Sequence, residues 1–186
     1  MEKIPTLFVR NPDNMKLVTR EVNPDAAWVL AGEGVPTVKK DGTNVRVTVV
    51  SEKVTFVEKR RNPTREEKAN GAEPGYVEAR RDDPADRHIF AAVDNTHYIG
   101  WPDGAWPCEA LGPKIQGGVE SPYPVLYPFA LAPISLPSWE NPRTWGELLD
   151  YLGTHEFEGI VWHHPDGRMA KIKRRDFGLP WPAQRR

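Results

Sequence analysis

Proline constrains this chain more than any other residue type. There are 19 prolines in 186 residues, and they become denser past residue 100. Each fixes its backbone φ at about −65° and removes an N–H donor, so it breaks helices and central strands alike. Many ordered turns and short strands are therefore expected, with few long helices. The length and an apolar fraction of 39% suffice for a buried core without staples, and a single domain over residues 1–186 is the expectation. The one cysteine, Cys108, excludes an internal disulfide framework and fits a reducing, cytoplasmic setting. The opening MEKIPTLFVR holds no apolar run of signal-peptide length, and no stretch is long enough to span a membrane. No membrane partner is expected, and a monomer is.

Charge is close to balanced, at −1 net, which argues against a nonspecific polyanion binder. The distribution says more. Lys59, Arg60, Arg61 and Arg65 form one basic segment; Lys171, Lys173, Arg174, Arg175 and the terminal Arg185-Arg186 form another. These are either two solvated edges or two parts of one polyphosphate site. No Cys/His set has zinc spacing, and no Gly-rich loop ends in Gly-Lys-Ser/Thr. His163 and His164 would point to opposite faces of a strand and chelate poorly. Most of the seven tryptophans are expected in the core or at its edge, and none is assigned to the site.

Patterning gives an α+β class with antiparallel sheets. Residues 35–39 read as a strand, Asp41-Gly42 as a tight turn, and Val45, Val47 and Val49 alternate with polar neighbours along a half-buried strand. Residues 54–58 complete an expected three-strand meander. The charged stretch 59–88 reads as a loop. Residues 88–93, 98–101 and 125–131 are strand candidates. One helix is well signed: Thr144 and Glu147 make a capping box, Trp145, Leu148, Leu149 and Leu152 follow at helical spacing, and Gly153 is the expected stop. Residues 159–163 and 169–173 then pair as a hairpin about Pro165-Asp166-Gly167. Upstream, Asn23-Pro24-Asp25 turns the chain before Ala26, and patterning over residues 1–35 is weak.

The residues with chemistry begin at Lys39-Lys40-Asp41-Gly42. Asp-Gly can be simply a hairpin turn with exposed lysines beside it. Alternatively, Lys39 and Asp41 share one side of an extended segment. A deprotonated lysine amine can attack phosphorus, a carboxylate can hold a hydrated metal against it, and glycine admits a nucleotide close to the backbone. Lys171 and Lys173 likewise face one way on a strand. Two adjacent cations repel unless an anion such as an α-phosphate lies between them. An exposed strand face is the plainer account of that pair.

Lys39-x-Asp41-Gly42 resembles motif I of the superfamily that contains DNA ligases, RNA ligases and mRNA-capping enzymes. Four further segments follow in that superfamily's order. Lys59-Arg60-Arg61 resembles its basic motif, residues 109–117 its motif III, Glu158-Gly159-Ile160-Val161-Trp162 its motif IV, and Lys171-Ile172-Lys173 its motif V. Thr43-Asn44 after Gly42, together with His163, Asp166-Gly167, Gly178-Leu179 and Trp181-Pro182, is similar to the small 5′-to-3′ RNA ligase group that includes the vertebrate auto-adenylylating RNA ligase. The resemblance runs over residues 35–182 and is densest at motifs I, IV and V.

The resemblance implies an adenylyltransferase core, with antiparallel sheets flanked by helices around a central nucleotide cleft; as a departure from it, only about a dozen residues follow Lys173, and no C-terminal accessory domain is expected. It implies an ATP-dependent RNA ligase acting on RNA with 5′-phosphate and 3′-hydroxyl ends through a lysyl-AMP on Lys39. Lys39, Asp41, Glu109, Glu158, Lys171 and Lys173 would be catalytic. Val38, Lys39, Asn44, Arg60, Glu109, Phe129, Lys171 and Lys173 would bind nucleotide, with Tyr127 the alternative to Phe129 as the adenine-stacking aromatic. Asp41, Glu109 and Glu158 would organise Mg²⁺ or Mn²⁺. A DNA ligase core, a capping-type nucleotidyltransferase, or a noncatalytic nucleic-acid-binding protein that keeps the fold are the alternatives.

Overall fold

The computed structural model describes residues 4–118, 120–130 and 134–182. In chain order the strands are β1 (Phe8–Asn11), β2 (Asn14–Val22), β3 (Val35–Lys39), β4 (Thr43–Val50), β5 (Lys53–Arg61), β6 (Gly75–Glu78), β7 (Gly104–Leu111), β8 (Val125–Pro128), β9 (Gly159–His163) and β10 (Met169–Lys173). The helices are α1 (Ala27–Leu30), α2 (Arg65–Ala69), α3 (Arg87–Asp94) and α4 (Trp145–Thr154). This is a mixed α+β fold of antiparallel sheets and few helices, as the prolines and short alternating runs require. The chain divides into two compact units. Residues 41–133 form one, here the insert; the segments before and after it form the other, the host.

The host carries a three-stranded sheet in the order β10-β9-β3, all antiparallel, and a β1–β2 hairpin. Period-2 alternation sets its two faces. Ile160, Trp162, Ala170 and Ile172 point to one side, fully buried against Leu7, Phe8, Val29, Leu148 and Leu152. Helix α4 supplies the last two. Thr144 accepts from the Glu147 amide and the Glu147 carboxylate accepts from the Thr144 amide, so the expected capping box forms. The expected stop at Gly153 does not hold: the helix runs one residue further to Thr154, with His155 as its C-cap. The hydroxyl of Thr154 bonds back to the Asp150 carbonyl at 3.0 Å and satisfies the last turn.

The insert is a five-stranded antiparallel sheet in the order β6-β5-β4-β7-β8. Val45, Val47 and Val49 are fully buried on one face, under Ile89, Phe90 and Val93 of α3. Only part of β5 has a neighbour on the β6 side: Glu58 to Arg61 pair with β6, and the Ala79 amide bonds the Val57 carbonyl. Among the described residues no strand pairs with residues 53–56 on that side.

Four further expectations are corrected. Residues 35–58 are not a three-strand meander. The Asp-Gly pair is a bend between strands of different sheets, since β3 pairs with β9 while β4 pairs with β5 and β7. The stretch 59–88 is not a loop; it holds the end of β5, α2 and β6. Residues 88–93 are helical rather than extended, because Ile89, Phe90 and Val93 all reach the core at helical spacing. Residues 98–101 form a turn, closed by the Trp101 amide on the Tyr98 carbonyl. Of the candidate strand 125–131, β8 ends at Pro128 and Leu131 lies outside the described residues, as do Arg185 and Arg186. The weakly patterned N-terminus holds the β1–β2 hairpin, and Pro24 opens a 3₁₀ turn after the Asn23 cap.

Candidate functional site

In the host, the three strands bring the lysines together. Lys39 on β3 lies directly opposite Gly159 on β9, which lies directly opposite Lys173 on β10. Residues opposite one another in antiparallel strands share a face, so both lysines project from the side away from the Ile160–Ile172 core. One pair along, Thr37, Val161 and Lys171 form the next row of that face. Glycine is required at 159: a Cβ there would sit 2.1 Å from the Ile172 carbonyl oxygen. No side chain therefore stands between the two lysine stems.

Glu158, the residue before that glycine, is 6% exposed and serves the lysines. It is ion-paired to the Lys39 amine through one oxygen, and its other oxygen is 3.7 Å from the Lys173 amine. The Lys39 amine also donates to the Lys40 carbonyl at 3.1 Å. Lys171 is pushed down to about 8, first by burial and then by the charges of Lys39 and Lys173. Three lysines face Glu158, and the other carboxylate that acts on Lys171, Asp176, is paired with Arg10, so a surplus of positive charge remains on one sheet face, the electrostatics that favour an anion. Lys40 lies beyond the end of β3, so the choice of Lys39 over Lys40, made on spacing, falls on the lysine that meets Glu158. Asp176, 2% exposed, fixes the exit of β10 by accepting the Lys173 amide at 2.8 Å and Arg10 at 2.7 Å. Val38 faces the other way. Its side chain packs on the host core, and its amide donates to the Ile134 carbonyl at 2.8 Å.

In the insert, the sheet face opposite α3 carries Asn44, Arg60, Glu109 and Tyr127. Asn44 lies opposite Glu109, and Glu109 opposite Tyr127. Glu109, 8% exposed, accepts the Gly42 amide at 3.1 Å, while Glu120 accepts the Asp41 amide at 3.1 Å. The two carboxylates thus hold consecutive amides of the Asp41-Gly42 bend. Gly42 is needed for that approach, since a Cβ there would lie 2.3 Å from the Ala110 carbonyl oxygen. Phe129 follows β8, half-buried, its amide on the Pro107 carbonyl at 3.2 Å.

The basic segment of β5 separates into different roles. Lys59 turns to the α3 side and pairs with buried Asp86 at 2.5 Å. Arg61 pairs with Glu67 at 2.7 Å, and Arg46 beside them pairs with Glu58 at 2.6 Å. Arg60 makes no ion pair among the described residues.

Of the residues expected to hold a divalent ion, Asp41 and Glu109 lie in the insert and Glu158 in the host. Among the described residues no three Asp, Glu, His or Cys side chains gather as a ready metal cage. Mg²⁺ is commonly held by one or two carboxylates with waters and substrate phosphates, and the carboxylates of Asp41 and Glu109, at a bend whose amides are already anchored, suit that mode. His163 and His164 part company: His163 meets the Thr37 hydroxyl at 3.0 Å, and His164 meets Glu33 at 2.6 Å.

Sequence reasoning missed Glu120, Asp176 and Tyr76. The first lies among glycines and prolines, and nothing in its surroundings marks it as a partner of the distant Asp41 amide. The search of protein-family models finds no match to this chain, and no curated protein matches it.

Proposed function

We propose that this protein is an ATP-dependent RNA ligase with the adenylyltransferase core, joining 5′-phosphate and 3′-hydroxyl RNA ends through a lysyl-AMP on Lys39. The observation that carries the reading is the cluster of Lys39, Lys171 and Lys173 on one sheet face around buried Glu158. A binding module needs surface cations; it does not need an amine at a strand end held by a buried carboxylate that also faces a second lysine.

In the proposed reaction the Lys39 nitrogen bonds to the α-phosphorus of ATP. The bond from that phosphorus to the bridging oxygen breaks, and pyrophosphate leaves. Glu158, already hydrogen-bonded to the amine, is placed to take its proton. Lys171 and Lys173 neutralise charge building on the α-phosphate. The adenylyl group then passes to an RNA 5′-phosphate, which frees Lys39. A 3′-hydroxyl attacks the activated phosphate and AMP departs. Asn44 and Arg60 contact the RNA end, and Tyr127 or Phe129 stacks on the adenine. A Mg²⁺ or Mn²⁺ ion, when bound by Asp41, Glu109 and Glu158, supplies Lewis-acid stabilisation of phosphate charge.

The test is label transfer from ATP carrying radiolabel at the α-phosphate, with Mg²⁺ or Mn²⁺ present. Wild type and Lys40→Ala take covalent label that survives alkali and is released by acid, as a phosphoramidate is, and Lys39→Ala takes none. Absence of label on wild-type protein purified free of AMP sinks the ligase reading, and labelling by GTP instead points to capping chemistry.

A further inference from the structure

Tyr76 lies in the charged stretch that the sequence leaves without structure, and it reaches the polar face of the insert from the edge strand. It stands directly opposite Arg60 across β5–β6. Its ring extends past β5 to β4, where its hydroxyl donates to the Asn44 side-chain oxygen at 2.7 Å. The Arg46 guanidinium covers the ring at 4.5 Å and is itself locked to both Glu58 oxygens at 2.6 and 2.7 Å. The ring is therefore clamped on a paired cation, and the hydroxyl has a fixed target.

That contact orients a side chain with two opposite ends. An asparagine amide offers an acceptor oxygen and a donor NH₂ group. The Tyr76 hydroxyl gives its proton to the Asn44 oxygen, since the guanidinium groups of Arg46 and Arg60 have donors only and cannot accept it. The hydroxyl is also half-buried, and burial keeps it protonated by raising it above the ordinary tyrosine range. With the Asn44 oxygen consumed, its NH₂ group remains as a donor. Arg60, which makes no ion pair among the described residues, offers only donors as well.

We propose that Tyr76 is a positioning residue that fixes the Asn44 amide, so that Asn44 and Arg60 together present only hydrogen-bond donors, a site for the terminal 5′-phosphate of the RNA. The role in sealing rests on the ligase reading; the phosphate preference does not. Tyr76→Phe keeps the ring beneath Arg46 and removes only the hydroxyl, so the amide is free to flip.

The experiment titrates wild type, Tyr76→Phe, Asn44→Ala and the double variant with two fluorescent oligoribonucleotides, one bearing a 5′-phosphate and one a 5′-hydroxyl. Wild type prefers the phosphorylated oligomer, and Tyr76→Phe lowers that preference by roughly tenfold, the scale of one charge-assisted hydrogen bond. The double variant loses no more than Asn44→Ala alone, because Tyr76 acts through Asn44. A merely structural tyrosine would weaken both oligomers equally. Equal binding of the two oligomers by wild type, an unchanged preference in Tyr76→Phe, or additive losses overturns the proposal. If wild type takes no label from ATP but Tyr76→Phe still loses the phosphate preference, the ligase reading falls and the positioning role stands.

Discussion

At the scale of single residues, burying Lys171 beside Lys39 and Lys173 is costly to the fold. Lys171 titrates near 8 in the folded chain against 10.5 for an ordinary lysine, with burial the main cause and Lys39 and Lys173 adding to it. Below about pH 8 the folded and unfolded chains both hold this proton, and the full cost is present. Between the two values the unfolded chain binds more protons, so stability rises with pH. Lys171→Met accordingly raises the melting temperature at pH 7 and removes part of the rise between pH 8 and 10.5. Differential scanning calorimetry across that range checks both. The same variant weakens pyrophosphate binding, read by titration calorimetry; a variant that melts like wild type and binds pyrophosphate equally well contradicts this account.

Among the elements, α4 shows what sequence encodes plainly. Its first turn is set by Thr144 and Glu147, and its buried face by Leu148 and Leu152. Thr144→Ala removes the cap and costs about 1 kcal/mol, measurable as a lower urea midpoint with an unchanged slope. Elements with local signals of this kind were legible: β3, β4, β9, β10 and α4 all stand where alternation or capping places them. Other elements depend on distant partners. Helix α3 is short, and Ile89, Phe90 and Val93 read equally well as a buried strand until the sheet beneath them is known. The Asp41-Gly42 bend has the composition of a hairpin turn, but β3 finds its partner in β9, more than a hundred residues away. Strand β6 has only four residues, and one of them, Tyr76, reaches a site residue. For the site, Lys171 and Lys173 were legible as one strand face from periodicity, whereas Lys39 and Glu158 were picked out by their resemblance to motifs I and IV. Glu120 and Tyr76 were not, because each acts through one long-range hydrogen bond that no pattern announces.

For the whole molecule, the division into host and insert has a direct test. The insert is one continuous run of chain with its own buried core of Val45, Val47, Val49, Phe90 and Leu126. Within the host, the points where the run leaves and returns lie close together: the Val38 amide meets the Ile134 carbonyl at 2.8 Å, and Thr37 bridges Ser135. Replacing residues 41–133 with a short Gly/Ser linker leaves a host that still melts cooperatively and still binds pyrophosphate through its lysines. A noncooperative melt of that shortened chain shows instead that the host core depends on the insert. No helix among the described residues is long and apolar enough to cross a membrane.

The half-covered strand β5 governs how this protein behaves in a crowded tube. On the side away from β4, residues 53–56 meet no other strand among the described residues, and Phe56 among them is 43% exposed. Such an edge is a template for another copy's edge, and a charged side chain along it is the usual guard against stacking. Lys53 opens that edge, and Glu52 precedes it. Concentrated preparations at high salt, where these charges are screened, are therefore the ones expected to associate through this edge.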